Sequence, residues 1–90
     1  MLENLEQLIK IIRNRKSSSS SESYTKKLLT DKKLSVAKVK EEVAELIESV
    51  DENSNKIHEA ADVIYHLMVY LEANNIKIED VMSELKKRQK

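Results

Sequence analysis

The chain runs for 90 residues without a single glycine or proline. Glycine supplies the positive-φ positions of tight hairpins and phosphate-cradling loops, and proline supplies rigid turns. Every glycine-dependent nucleotide loop, whether Walker-type or dinucleotide fingerprint, is therefore excluded. Few runs alternate β-branched with polar residues, so the expected fold is all-α. Cysteine is absent as well. That removes disulfides and thiolate metal sites, leaves oxygen and imidazole as ligands, and fits a cytoplasmic setting.

A chain of this length reads as one domain, residues 1–90. So small a domain buries only about 60–65% of its unfolded surface and needs support from a metal or a partner. Self-association, as a homodimer, is the first support to expect. Sixteen acidic and sixteen basic residues balance to zero net charge, which argues against a nucleic-acid binder. No run approaches the roughly 18–20 apolar residues of a membrane span, and MLENLEQLIK carries acids too early for a signal peptide.

Helical periodicity divides the chain into five segments. Residues 2–16 place Leu2, Leu5, Leu8, Ile9 and Ile12 on one face, with Arg13, Arg15 and Lys16 in the last turn, where cations favour the helix dipole. The serine-rich stretch 17–22 reads as a flexible connector. A short helix over Tyr24–Thr30 takes its cap from Ser23 or Ser21. The third helix, about Ser35 to Val50, has Val36, Val39, Val43, Leu46, Ile47 and Val50 as its apolar stripe. DENSN ends it and supplies caps for a fourth, Lys56 to Ala73. Asn74 and Asn75 close that helix in the left-handed role glycine usually fills. A last helix, Ile78 to about Arg88, is expected to bury Ile78, Val81, Met82 and Leu85.

The chemistry concentrates in the third and fourth helices. Glu42 and Glu45 flank the third helix's stripe on neighbouring turns, while Glu41 lies nearly opposite it. An EExxE pattern by itself is usually a solvated face. The fourth helix changes this. Its main stripe is Ile57, Ala60, Ala61, Ile64, Leu67, Met68 and Leu71, yet Val63, Val69, Tyr70 and Ala73 border Glu59, Asp62 and His66 on the other side. A helix apolar nearly all round is a buried one, and two carboxylates lie on it. Unpaired buried carboxylates cost several kcal/mol each, and no Lys or Arg occurs between Ile57 and Glu72. A divalent cation answers this better than proton sharing, and all-oxygen ligands suit Mg²⁺ or Mn²⁺. Such ions bridge to substrate phosphates, which points to phosphate-ester or anhydride hydrolysis. The bland alternative is a helical dimerisation module whose acids line a wet seam.

The same residues carry a resemblance. EExxE at Glu41, Glu42 and Glu45, followed by ExxD at Glu59 and Asp62, resembles the signature of the all-α MazG-like nucleoside triphosphate pyrophosphohydrolases. Within that group, Ser23-Tyr24-Thr25-x-Lys27-Leu28 and EAADVIYHLMVYL from Glu59 to Leu71 are similar to the SYTxKL and EAADLLYHLLVLL segments of the phosphoribosyl-ATP pyrophosphohydrolase family. The chain departs from it at Lys40 and Glu22, where the family commonly has glycine, and in its serine-rich first loop. The resemblance implies a five-helix MazG-like bundle completed by homodimerisation. The implied reaction is Mg²⁺-dependent hydrolysis of the α–β anhydride of phosphoribosyl-ATP, the second step of histidine biosynthesis. It further implies Glu42, Glu45, Glu59 and Asp62 as metal ligands, and Glu41 as the group that orients or deprotonates water. Ser23, Tyr24, Thr25, Lys27 and Lys38 become candidate substrate contacts, and His66 reads as a packed, hydrogen-bonded core histidine. A house-cleaning enzyme acting on free nucleoside triphosphates is the alternative within the same superfamily.

Overall fold

Asparagine does the work of the missing glycine. In the computed structural model, which describes residues 1–18 and 23–89, the positive-φ residues are Asn53, Asn55 and Asn75. Asparagine tolerates the left-handed region better than other residues with a β-carbon. These three delimit α3 (Lys32–Glu52), α4 (Lys56–Ala73) and α5 (Ile78–Arg88). Ahead of them lie α1 (Glu3–Ser17) and α2 (Tyr24–Thr30). Among the described residues there is no strand, and no helix is long and apolar enough to cross a membrane. Ser17 belongs to α1, and the expected connector at 19–22 lies outside the described residues.

The helix ends differ in detail from expectation. At the close of α3 the Ser54 N–H donates to the Ser49 carbonyl at 2.9 Å, and at the close of α4 the Ile76 N–H donates to Leu71 at 2.9 Å. Both are six-to-one closures around a left-handed asparagine, Asn53 and Asn75 respectively. Asn74 is not left-handed: φ is −103°, and its side-chain amide donates to the Tyr70 carbonyl instead. Asn55 makes no side-chain cap to α4, so DENSN supplies a turn there rather than a cap. Ser23 caps α2 by accepting the Lys26 N–H at 3.0 Å. Asp31 accepts the Leu34 N–H and starts α3 three residues before Ser35.

The core is small: Ile12, Leu28, Leu29, Val69 and Ala73, with Leu8, Leu34, Tyr65 and Met68 packed against it. The α3–α4 hairpin is the principal contact, and α1 and α2 lie across α4. Here two expected faces are corrected. The α4 stripe read as its main apolar face points outward in part: Ile57 is 88% exposed and Ile64 44%, with Leu67 also exposed. The side bearing His66, Val69 and Ala73 is the one buried within the chain, because α1 and α2 pack there. On α3, similarly, Ser35, Glu42 and Ser49 form the buried line, while Val43, Ile47 and Val50 are exposed.

The last helix is the third correction. No residue of α5 is buried; Ile78 and Val81 are half-covered, and Met82 and Leu85 are exposed. α5 is tied by charge. Arg13 donates from Nη1 and Nη2 to the two Glu79 carboxylate oxygens at 2.8 and 2.6 Å, and from Nε to Glu72 at 3.3 Å. Lys16 donates to the Glu72 carbonyl at 2.7 Å and to the Asn75 side chain at 2.8 Å. Two of the cations expected to serve the dipole of α1 thus hold the end of α4 and the start of α5.

Candidate active site

The α3–α4 hairpin brings three carboxylates from two helices together. Glu42 and Glu45 stand one turn apart on α3, and Glu59 faces them from the first turn of α4. One oxygen from each lies within 4.8 Å of the other two. Glu42 is only 8% exposed. Its Oε2, like Oε2 of Glu59, is buried and has no hydrogen-bond partner. Burial first, then the Glu45 and Asp62 charges, raises the Glu42 carboxyl above the ordinary carboxylate range, with His66 opposing. Burial likewise raises Glu59, reinforced by Glu45. A buried acceptor without a donor, among like charges, is the environment a cation relieves.

Asp62 stands one turn along α4 from Glu59 and forms a second group with Glu59 and His58, again within 4.8 Å. His58 Nε2 lies 3.3 Å from Asp62 Oδ2. All four acids expected as metal ligands therefore adjoin, with Glu59 common to both groups. Orphaned carboxylate oxygens in an oxygen donor set fit a hard divalent ion such as Mg²⁺.

Glu41 stands apart from this cluster. It is exposed and paired with Lys38, whose Nζ lies 3.0 Å from Oε2. That pairing, first of all, raises the Lys38 ammonium pKa. Tyr24 is near the same groups: burial raises its hydroxyl, Lys38 opposes, and Glu42 and Glu41 add to the rise. Lys27 is exposed. The other candidate substrate contacts all have internal partners. The Ser23 oxygen caps α2, Tyr24 Oη lies 3.1 Å from His66 Nε2, and the Thr25 hydroxyl bonds that of Tyr65. His66 is 7% exposed and hydrogen-bonded, as a core histidine should be.

Three residues near the site were not singled out by sequence. Glu48 and Glu52 line a cleft with Glu45, Ser49, Ser54, Asn55 and Glu59. Their signal was the i, i+4 spacing of Glu48 and Glu52, with Glu45 one turn earlier, along one side of α3. His58 was signalled by its i, i+4 spacing to Asp62.

The profile of the phosphoribosyl-ATP pyrophosphohydrolase family matches residues 5–89. The phosphoribosyl-ATP pyrophosphatase of Sulfurisphaera tokodaii is 45% identical over 89 residues, 96% of this chain and 95% of that protein. Its counterpart in Haloarcula marismortui is 37% identical over 89 residues, 93% of this chain and 91% of that one. The chloroplastic histidine biosynthesis bifunctional protein of Arabidopsis thaliana is 40% identical over 95 residues, covering 97% of this chain. This chain spans about a third (34%) of that longer relative. With a profile match across nearly its whole length and relatives matched almost end to end, the chain belongs to the phosphoribosyl-ATP pyrophosphohydrolase family.

Proposed function

We propose that the chain hydrolyses the α–β phosphoanhydride of phosphoribosyl-ATP to phosphoribosyl-AMP and pyrophosphate, the second step of histidine biosynthesis, as a Mg²⁺-dependent cytoplasmic homodimer. The observation that carries this reading, in a chain of this family, is the buried, partnerless Glu42 oxygen beside Glu45 and Glu59. Glu42, Glu45, Glu59 and Asp62 would hold the ion, with Mn²⁺ able to take its place. When bound, it supplies positive charge against the phosphates and acidifies water.

The rest falls to the side chains. Water adds to phosphorus, the bridging P–O bond breaks, pyrophosphate leaves, and a carboxylate takes the proton of the water. Glu41, adjacent in sequence to Glu42 but exposed and paired with Lys38, is the candidate for that last role on the family resemblance alone. Lys38 would exchange its Glu41 partner for a phosphate oxygen, and Lys27 offers a second cation. Ser23, Tyr24 and Thr25 shape the segment against which the substrate lies.

The test is pyrophosphate release from phosphoribosyl-ATP beside a panel of ordinary nucleoside triphosphates, with and without Mg²⁺. Turnover of phosphoribosyl-ATP that EDTA abolishes is expected. Brisk hydrolysis of a plain triphosphate, with phosphoribosyl-ATP untouched, would assign the chain to the house-cleaning enzymes. No metal-dependent turnover or stabilisation at all would leave a helical dimerisation module.

A further inference from the structure

The buried imidazole of His66 has a role that neither the acidic cluster nor the apolar core accounts for. It stands on the inward side of α4, one turn beyond Asp62, and both ring nitrogens are engaged. Nδ1 lies 2.9 Å from the Asp62 backbone carbonyl. A carbonyl only accepts, so Nδ1 carries the hydrogen, and in the neutral ring Nε2 is left as an acceptor. The group facing Nε2 is the Tyr24 hydroxyl at 3.1 Å, which therefore donates. With the ring neutral, the one fixed acceptor sets the direction of both hydrogen bonds.

Packing reinforces the link. The His66 ring meets Tyr24 edge-on at 5.9 Å between centroids and Tyr65 edge-on at 4.9 Å, while the two tyrosine rings stack at 6.4 Å. Offset and edge-on contacts of this kind favour one arrangement of the rings. The Thr25–Tyr65 hydroxyl pair adds a second fastening between the start of α2 and α4. Tyr24 nevertheless remains 47% exposed, so one end of its ring is held and the rest is free to meet a ligand.

We infer that His66 is a positioning residue that locks the Tyr24 end of α2 onto the helix carrying Glu59 and Asp62. The substrate-contacting segment and the acidic cluster then keep one fixed spacing. A triphosphate-bearing substrate must touch both at once, and misplacement of either weakens its binding. Through Asp62 the ring engages the backbone of a candidate ligand residue, and through Tyr24 it reaches the substrate side.

This inference rests on the phosphoribosyl-ATP reading, and its test separates the two. His66→Gln places an acceptor near Nε2 and preserves the Tyr24 bond, whereas His66→Asn preserves only the donor to Asp62. Tyr24→Phe deletes the hydroxyl and keeps the ring. His66→Asn and Tyr24→Phe are each expected to raise KM roughly tenfold with kcat within about twofold, as expected when uniform binding is lost. The double variant should be no worse than either single one, since both remove one contact. His66→Gln should stay within about twofold of wild type. Additive losses, or a Gln variant as impaired as the Asn variant, would overturn the inference. So would unchanged kinetics with only a lowered Tm, the mark of a purely structural histidine. Should the wild type hydrolyse only ordinary triphosphates, the substrate reading fails and the same cycle is run on the best of them. Hydrogen exchange of the α2 amides needs no substrate. It should quicken in His66→Asn and Tyr24→Phe but not in His66→Gln, and equal exchange in all would also overturn the inference.

Discussion

Glu42 sits where a carboxylate is unfavourable for folding, a cost the proposed cation would offset. It is buried at the centre of the α3–α4 seam, with one oxygen lacking a donor and two carboxylates beside it. A neutral glutamine of the same shape removes the repulsion and brings an amide donor for its neighbours. Glu42→Gln is therefore expected to raise the melting temperature of the metal-free protein while lowering kcat by at least about a hundredfold. For a domain of this size, each kcal/mol of relieved repulsion is worth about 4–8 °C. Mg²⁺ should raise the wild-type melting temperature and leave the variant's nearly unchanged. Asp62→Asn should also abolish turnover with the helical fold intact. Calorimetry in EDTA and in Mg²⁺, beside the pyrophosphate assay, reads all of these. Full activity in both variants would remove the cluster from the chemistry.

At the scale of the element, α5 is held by ions where most helices are held by an apolar face. Arg13 grips Glu79 with both terminal guanidinium nitrogens, and that pairing pulls the Glu79 carboxyl down to about 2. The folded value lies below the unfolded one, so the clasp contributes fully above the ordinary carboxylate pKa of about 4.5. It is lost as pH falls from there towards 2. Both partners reach solvent, so the effect on global stability is small and weakened by salt. The expected outcome is local. Arg13→Ala at neutral pH, or acid in the wild type, speeds hydrogen exchange in α5 and leaves α3 and α4 protected. Uniform exchange across all five helices in Arg13→Ala would show that the clasp is not specific to α5.

The same helix shows what periodicity can and cannot decide. All five helices were legible, because a 3.6-residue repeat is a local property of the sequence. The acidic cluster was legible because Glu59 and Asp62 interrupt an apolar helix with no cation nearby to pair them. The choice of buried face was not legible. α4 is apolar on two sides, and the larger side chains, Ile57, Ile64 and Leu67, marked the outer one. Which side faces inward depends on where α1 and α2 lie, a tertiary fact that no single helix encodes. α5 misled for the same reason: its stripe is real, but only Ile78 and Val81 of it are half-covered, and the polar tie to α1 is an ion pair spanning 66 residues. The caps followed local chemistry, yet Asp31 closing one helix and opening the next moved the start of α3 by three residues.

For the whole molecule, surface area poses the remaining question. The chain exposes 6857 Å², whereas a compact monomer of 10.4 kDa is expected to show about 5,400 Å². Among the described residues only five hydrophobic side chains are buried, and Val43, Ile47, Val50, Ile57, Ile64 and Leu67 lie exposed along the outer side of the α3–α4 hairpin. So small a core stabilises a domain of this length poorly, and an apolar band of this kind marks an interaction surface. We propose that a second copy of the chain covers it, because a two-fold interface needs only one self-complementary patch. Ile64→Asp and Ile47→Asp should each place a charge in that interface and dissociate the dimer, read by sedimentation velocity at micromolar concentration. The wild type should sediment as a dimer and melt at a temperature that rises with concentration, since association stabilises only the folded chain. In the aspartate variants that concentration dependence should vanish and the melting temperature fall. The Glu42 cluster lies in the same hairpin, so loosening its outer face should also lower Mg²⁺ affinity. A wild type that sediments as a monomer would leave the excess surface without this explanation.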